Sequence, residues 1–389
     1  MKAMILAAGK GTRVRPLTDT VPKPMIPIIN RPVMEFLVDL LAQHGFGDII
    51  VSTSYLSHEI ENYFREGSRF GVRIAYSFEG YHCDGEIVAE GAGSAGGLRR
   101  IQDFSTFFDS TFAVLCGDAL IDLDLTKVVE EHKRKGSIAT IVLKEVPLEE
   151  VTRYGIVDVD TDGRIRRFQE KPKPADAVSR LANTGIYIFE PEVLDLVPAD
   201  RPFDIGGELF PLLAEKGLPF YGVSMPFTWI DIGTTPDYWQ ATQTILKGGL
   251  QGLRMPGTEI APGVWAGINV SIDWTNTTIT GPIYIGSSTR IEPGSRIEGP
   301  AVIGRNSVIE SGARVSACVV GDYTRVSGLA DLHEKIISGR FCVDRQGRNV
   351  ELASRGMAFV VDDARERREW SEDQEVLMEF LRSQGQDAP

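Results

Sequence analysis

Apolar and polar positions follow two different rhythms along this chain, and the change falls near residue 263. Before it, short apolar runs alternate with segments whose apolar residues recur every three or four positions. Met4–Ala8 reads as a buried strand. Residues 31–45 put Val33, Phe36, Leu37, Leu40 and Leu41 on one helical face, closed by Gly45. Further strands are predicted at 48–53, 72–77, 111–115, 139–144, 156–158 and 185–189. Helices are predicted at 57–65, capped by Ser57, and at 125–135, capped by Asp124 and stopped by Gly136. Another starts with Thr235 as N-cap and Pro236 behind it. This alternation predicts an α/β, Rossmann-like domain over residues 1–247. Its sheet is mostly parallel, and ligands belong at the C-terminal ends of its strands.

Beyond residue 263 the period is six. Ile279, Ile285, Ile291, Ile297, Ile303, Ile309 and Val315 keep it strictly, with small residues between them. Val320, Val326 and Leu332 resume it after a slip of one. Neither an α-helix nor a hairpin sheet has this period. A parallel β-helix does, with each aliphatic pointing inward and each small residue turning a corner. The pattern resembles the left-handed hexapeptide-repeat helix and sets residues 263–339 as a second domain; a plain antiparallel strand array is the competing reading. The Gly- and Pro-rich stretch 248–262 reads as a linker. Residues 340–389 read as an extension: a hairpin over 343–352, a charged stretch at 364–370, and a terminal helix. That helix has capping-box spacing at Ser371 and Gln374 and apolar Val376, Leu377, Phe380 and Leu381. Residues 383–389 are expected to be disordered.

The candidate chemistry lies in the first domain. The Met4–Ala8 strand feeds a loop with Gly9, Gly11, Thr12 and Arg13, and Lys23 follows between two prolines. Small residues let backbone N–H groups approach an anion, and Arg13 and Lys23 add cationic donors. The loop is not a P-loop, and position 14, a valine, breaks the dinucleotide fingerprint G-x-G-x-x-G. Asp118 follows a strand and a flexible Gly117, where a carboxylate can hold Mg²⁺ or simply make a turn. Asp231 lies between apolar strand residues, so it needs a cation or hydrogen-bond donors. Glu170 can accept sugar hydroxyls and Lys171 can pair with a phosphate; a solvated charge pair is the alternative. Asn183 can donate and accept. Gly91–Leu98 is small enough for a planar base to lie flat on it, or it is a flexible loop.

Composition narrows the partners. The chain has 389 residues, 42% of them hydrophobic, enough for two domains with real cores. A formal net charge of −13 argues against nucleic acid and anionic membrane as partners. Phosphate-binding cations must then be concentrated locally. The four cysteines are far apart and form no C-x-x-C pair, which fits reduced thiols and a cytoplasmic setting. No apolar run is long enough to be a signal segment or to span a bilayer.

Taken in order, the opening 4–24, GD at 117–118, F-x-E-K-P at 168–172, N-x-G at 183–185 and W-x-D-x-G-T at 229–234 resemble the sugar-1-phosphate nucleotidyltransferase family. Within it the resemblance is strongest to members of the mannose-1-phosphate guanylyltransferase type. The resemblance implies transfer of a nucleotidyl group from an NTP to a sugar 1-phosphate, with GTP and mannose 1-phosphate giving GDP-mannose. It implies that Leu6, Ala7 and Gly93 contact the base. Gly9, Gly11, Thr12, Arg13 and Lys23 hold the triphosphate, and Asp118 and Asp231 bind Mg²⁺. Gly155, Glu170 and Asn183 hold the sugar and Lys171 its phosphate, leaving Arg13, Lys23 and Lys171 as the catalytic cations. One departure concerns the base. The family usually has Pro-Leu-Gly-Thr-Ala-Gly soon after the segment matching Tyr76–Glu79. Here a longer loop, 80–90, intervenes, and Gly91, Ala92 and Ser94 replace the Pro, Leu and Thr. The alternatives are a glucose-1-phosphate nucleotidyltransferase using another NTP, or a silent nucleotide-sensing homologue. An acyltransferase role for the β-helix would have to rest on His333. Assembly of several copies through the stacked coils is the plainer expectation.

Overall fold

A computed structural model describes residues 1–84, 86–274, 276–352, 359–366 and 376. The chain divides into two compact units, Met1–Met255 and Pro256–Pro389.

The first unit is built on a nine-stranded mixed sheet. Its central strand, Lys2–Leu6, pairs in parallel with Asp48–Thr53 and with Phe112–Cys116. Arg73–Phe78 extends the parallel half. Leu181–Phe189 runs antiparallel to Phe112–Cys116 and carries Ala139–Glu145 and Gly155–Val159. Ile165–Glu170 and Phe220–Ser224 complete the sheet. This half is antiparallel where no crossover helix is available: Gly155–Val159 and Ile165–Glu170 are joined by a short turn in which Gly163 takes φ 80°.

Alternation along the central strands makes two cores. Ile5, Val51 and Leu115 face Leu37, Leu41 and Val128 on one side. Met4, Ile50 and Val114 face Leu98 and Phe210 on the other. Helices span Val33–Gln43, Ser57–Phe64, Ser94–Ser105, Leu125–Arg134 and Thr235–Leu246. Asp124 caps its helix by accepting from the Lys127 N–H at 3.2 Å. Two expected caps do not form. Leu56, in a left-handed conformation, precedes the helix that Ser57 was to cap, and makes no side-chain cap bond. Thr234 rather than Thr235 caps the later helix, accepting from the Asp237 N–H at 3.3 Å; Pro236 then sits in the first turn, where its missing N–H costs nothing. The longer 80–90 segment contains an antiparallel hairpin, Gly80–Cys83 with Glu86–Ala89.

The second unit is a parallel β-helix whose hexads stack in three inward columns. One holds Ile285, Ile303, Val320 and Ile337. The others hold Ile291, Ile309 and Val326, and Ile297, Val315 and Leu332. All but the partly exposed Leu332 are buried. The slip of one is absorbed where Val302 pairs with Val319. Strand Thr258–Ala261, inside the expected linker, pairs with Val264–Ala266 and belongs to this unit. The expected hairpin forms from Phe341–Asp344 and Asn349–Glu351 and extends one wall. Val361–Asp363 runs antiparallel to Thr324–Val326 and covers the edge of the last coil, tied by Arg325 to Asp362 at 3.3 Å. Apart from Val376, the expected terminal helix, including Ser371, Gln374, Leu377, Phe380 and Leu381, lies outside the described residues. No described helix is long and apolar enough to cross a membrane.

Candidate active site

Leu6 and Cys116 are register partners, so the two central strands end together. Beyond them opens a cavity of about 310 Å³. It gathers Leu6, Arg13, Asp118, Gly155, Glu170, Lys171, Asn183 and Asp231 from segments far apart in the chain.

The opening loop reaches the cavity through Arg13, and a glycine shapes the turn that puts it there. Gly11 takes φ 62° and accepts from the Val14 N–H at 3.0 Å and the Thr18 hydroxyl at 2.9 Å. A Cβ there would lie 3.0 Å from both Lys23 Cβ and Thr18 Cγ2. Its absence folds the loop onto the turn carrying Lys23, while Arg13 projects into the cavity. Gly9 and Thr12 lie in the same loop but not on the cavity wall. Ala7 is buried, its N–H donating to the Ser52 carbonyl and hydroxyl at 3.2 Å each. Gly117 crosses directly over Leu6: its N–H donates to the Leu6 carbonyl at 2.9 Å, and a Cβ would sit 2.9 Å from that oxygen. This crossing brings Asp118 to the cavity.

Asp118 forms an ion pair with Lys23, whose side chain is only 11% exposed. Asp231 is held next to it, because Ala119 pairs with Asp231 across a short ladder and the Ile232 N–H donates to the Asp118 carbonyl at 3.2 Å. Burial, and then repulsion from Asp118, push the Asp231 carboxyl up to about 6, even with Lys23 and Arg153 nearby. Arg153 lies 3.8 Å from Asp231 and is anchored on Asp237 at 2.8 Å, which also accepts from the Thr234 hydroxyl at 2.8 Å. Two neighbouring, partly buried carboxylates, one paired with Lys23 and the other facing Arg153 at 3.8 Å, fit a divalent cation. No third acidic, His or Cys ligand joins them among the described residues. That suits Mg²⁺, which typically takes one or two carboxylates and leaves its other positions to water and substrate phosphates.

On the opposite wall Gly155 and Glu170 are register partners. Lys171 takes φ 47° and pairs with Glu170 Oε1 at 3.0 Å. Asn183 is fixed at both ends of its amide: Nδ2 donates to the Tyr187 hydroxyl at 3.1 Å and Oδ1 accepts from the Gly185 N–H at 3.0 Å. Burial drives the Cys116 thiol and the Tyr187 phenol upward, so both stay neutral.

The small-residue stretch departs from the flat platform expected of it. Helix Ser94–Ser105 begins inside it, with Gly93 as N-cap at φ 74°. A Cβ on Gly93 would lie 2.5 Å from the Phe203 carbonyl oxygen. That carbonyl accepts from the Ala95 and Gly96 N–H groups at 3.0 and 2.9 Å, and the Phe203 N–H donates to the Ala92 carbonyl at 2.9 Å. Close backbone approach is what these small residues serve. Gly93 is off the cavity wall; its neighbour Ser94 is on it.

The cavity also holds residues to which the sequence reading gave no site role: Ser94, Arg153, Tyr154, Asp204, Gly206 and Trp229. Tyr154 and Trp229 pack ring against ring at 4.9 Å. Ser94 and Trp229 lie inside stretches already singled out, and Arg153 and Tyr154 directly precede Gly155. Asp204 and Gly206 sit in an aperiodic stretch that carries no signal.

A strand-end loop of small residues and cations, facing a carboxylate pair, defines a site for phosphate chemistry. The nucleotidyl transferase family profile matches residues 2–248, and that of bacterial transferase hexapeptide repeats matches 282–317. The chain belongs to the nucleotidyl transferase family. A UTP–glucose-1-phosphate uridylyltransferase from Synechocystis sp. is 54% identical to it over 365 residues, 94% of each chain. Mannose-1-phosphate guanyltransferase beta-A from Xenopus laevis is 38% identical over 240 residues, 61% of this chain and 62% of that protein. The crystal structure of a UDP-glucose pyrophosphorylase complexed with UDP-glucose matches with a TM-score of 0.53 at 21% identity, over 64% of this chain and 98% of that one. At that identity the likeness is one of fold.

Proposed function

We propose that the protein transfers the uridylyl group of UTP to glucose 1-phosphate, giving UDP-glucose and pyrophosphate. The observation that carries this reading is the 54% identity to a uridylyltransferase along 94% of both chains, β-helix included. Relatives of the mannose-1-phosphate guanyltransferase type are more distant and match a smaller share. The expectation of GTP and mannose 1-phosphate therefore gives way to the glucose 1-phosphate alternative.

In the reaction an oxygen of the sugar phosphate attacks the α-phosphorus. The bond from that phosphorus to the bridging oxygen breaks, and pyrophosphate leaves with the electron pair. The attacking phosphate is already nucleophilic, so the protein's work is positioning and charge neutralisation. Arg13 and Lys23 hold the triphosphate and stabilise the departing pyrophosphate. Lys171 holds the sugar phosphate, and Glu170 and Asn183 accept and orient sugar hydroxyls. Each lysine rests on an acid until substrate arrives: Lys23 on Asp118 and Lys171 on Glu170. Binding exchanges each internal ion pair for a phosphate contact. Mg²⁺ held by Asp118 and Asp231 would neutralise phosphate charge. Arg153 keeps Asp231 in place from its anchor on Asp237.

The test is pyrophosphate release over a grid of UTP, GTP, ATP and dTTP against glucose 1-phosphate and mannose 1-phosphate. The expected maximum is UTP with glucose 1-phosphate. A maximum elsewhere corrects the substrates. Silence across the grid with nucleotide binding intact would favour a sensor.

A further inference from the structure

Two glycines flank the Glu170 carboxylate, and they are bare for different reasons. A Cβ on Gly155 would lie 3.2 Å from Glu170 Oε2, but it would also lie 2.4 Å from Phe168 Cζ. Phe168 is a buried core residue whose ring packs at a tilt against Phe210, 5.3 Å between centroids. Packing alone therefore demands glycine at 155.

Gly206 differs. A Cβ there would lie 3.2 Å from the same Glu170 Oε2, 3.5 Å from Asp204 Oδ1 and 3.8 Å from Phe168 Cζ. The two nearest atoms are carboxylate oxygens at the ends of side chains, and no backbone crowds the position. Its backbone is not in the left-handed region, so an L side chain is not strained there. Gly206 lines the cavity, and the fold does not need it bare.

The surroundings show what the empty flank faces. Glu170 Oε1 is engaged by Lys171, while Oε2 points at Gly206. Asp204 also lines the cavity, and its two oxygens accept from the Ser94 hydroxyl at 2.8 Å and the Gly207 N–H at 2.7 Å. Each carboxylate oxygen can accept more than one bond, so both acids keep acceptor capacity toward the cavity. Asp204 caps a π-helical turn, Ile205–Leu209, that carries Gly206. Such turns are rare and concentrate at functional sites.

We propose that Gly206 is a specificity-determining residue of the acceptor side. Its missing side chain leaves room for a hexosyl hydroxyl to reach Glu170 Oε2 and Asp204 together, so it acts on the sugar phosphate and not on the NTP. This rests on the sugar-1-phosphate reading of the cavity.

The test is steady-state kinetics of the full-length protein and its Gly206→Ala and Gly206→Ser variants, with thermal unfolding measured alongside. Wild type is assayed first over the nucleotide and sugar phosphate grid, and the variants are compared on its best pair. The expected result is a rise of roughly tenfold or more in KM for the sugar phosphate, as for one misplaced methyl in a fitted pocket. KM for the NTP and the unfolding midpoint stay near wild type. An unchanged sugar-phosphate KM overturns the proposal. So does an equal rise in both KM values, or a lowered midpoint in both variants, since the glycine would then serve the fold. A wild type inactive across the grid overturns the functional reading, and this inference with it.

Discussion

The two units solve the problem of bringing residues together in opposite ways. In the β-helix, neighbours in space are neighbours in the repeat: Ile285, Ile303 and Val320 stack because each coil returns to the same column. In the first unit, Asp118 and Asp231 become neighbours only because a short antiparallel ladder joins two distant segments. A regular sequence thus builds a wall of equivalent positions, and an irregular one builds a single converging point. Damage to the first should be felt as stability, and damage to the second as rate.

The largest expected effect is on rate. Arg13→Ala and Asp118→Ala should each lower pyrophosphate release about 10²–10³-fold, the scale of one lost charge contact in a preorganised site. Their unfolding midpoints should stay near wild type; rates within a few-fold of wild type would remove both residues from the site. The complementary experiment is Ile303→Ala, at a fully buried column position. It should cost about 2–5 kcal/mol in unfolding of the β-helix unit by calorimetry, while release at 25 °C changes little. A rate loss as large as that of Arg13→Ala would break the comparison.

Asp231 connects the two kinds of effect. Burial and Asp118 raise its folded pKa above the unfolded value, so between about pH 4 and 6 the folded state binds the extra proton. Its contribution to stability therefore falls as pH rises through that window, and the ionised form is the strained one above it. Without added metal, Asp231→Asn should raise the unfolding midpoint at pH 7.5 and flatten its dependence between pH 4 and 6. Pyrophosphate release should be lost in the same variant. A lowered midpoint at pH 7.5 would mean that Arg153 and Lys23 already compensate the carboxylate. The smallest effect is Asp124→Ala, which removes a helix cap far from the chemistry and should cost about 1 kcal/mol with no change in rate.

Legibility in the sequence follows the same division. The hexads pointed to the β-helix over a plain antiparallel strand array because a six-residue period with small residues at the corners suits stacked coils. The first strand was readable from apolar spacing, though it runs Lys2–Leu6 rather than Met4–Ala8, and so was the helix Val33–Gln43. The later cap slipped from Thr235 to Thr234 because adjacent threonines offer the same oxygen, whereas the helix at Ser57 starts after a left-handed Leu56 with no side-chain cap at all. In the cavity, Arg13, Asp118, Glu170, Asn183 and Asp231 stood in short motifs with distinctive company. Asp204 and Gly206 did not, because what places them is the hydrogen bonding of Phe203 to the Ala92–Gly96 turn, a contact between segments about a hundred residues apart. The glycines of that turn suggested a surface for a base, when their smallness admits another stretch of backbone.

The central claim is that this cavity joins a nucleotide and a sugar phosphate, and the most direct measurement follows one labelled oxygen. Protein is incubated with UTP, Mg²⁺ and glucose 1-phosphate carrying oxygen-18 on its phosphate, and the products are read by mass spectrometry. The account predicts UDP-glucose retaining all of the label and pyrophosphate carrying none. Labelled pyrophosphate, or no nucleotide sugar formed from any NTP and sugar phosphate pair, would contradict it.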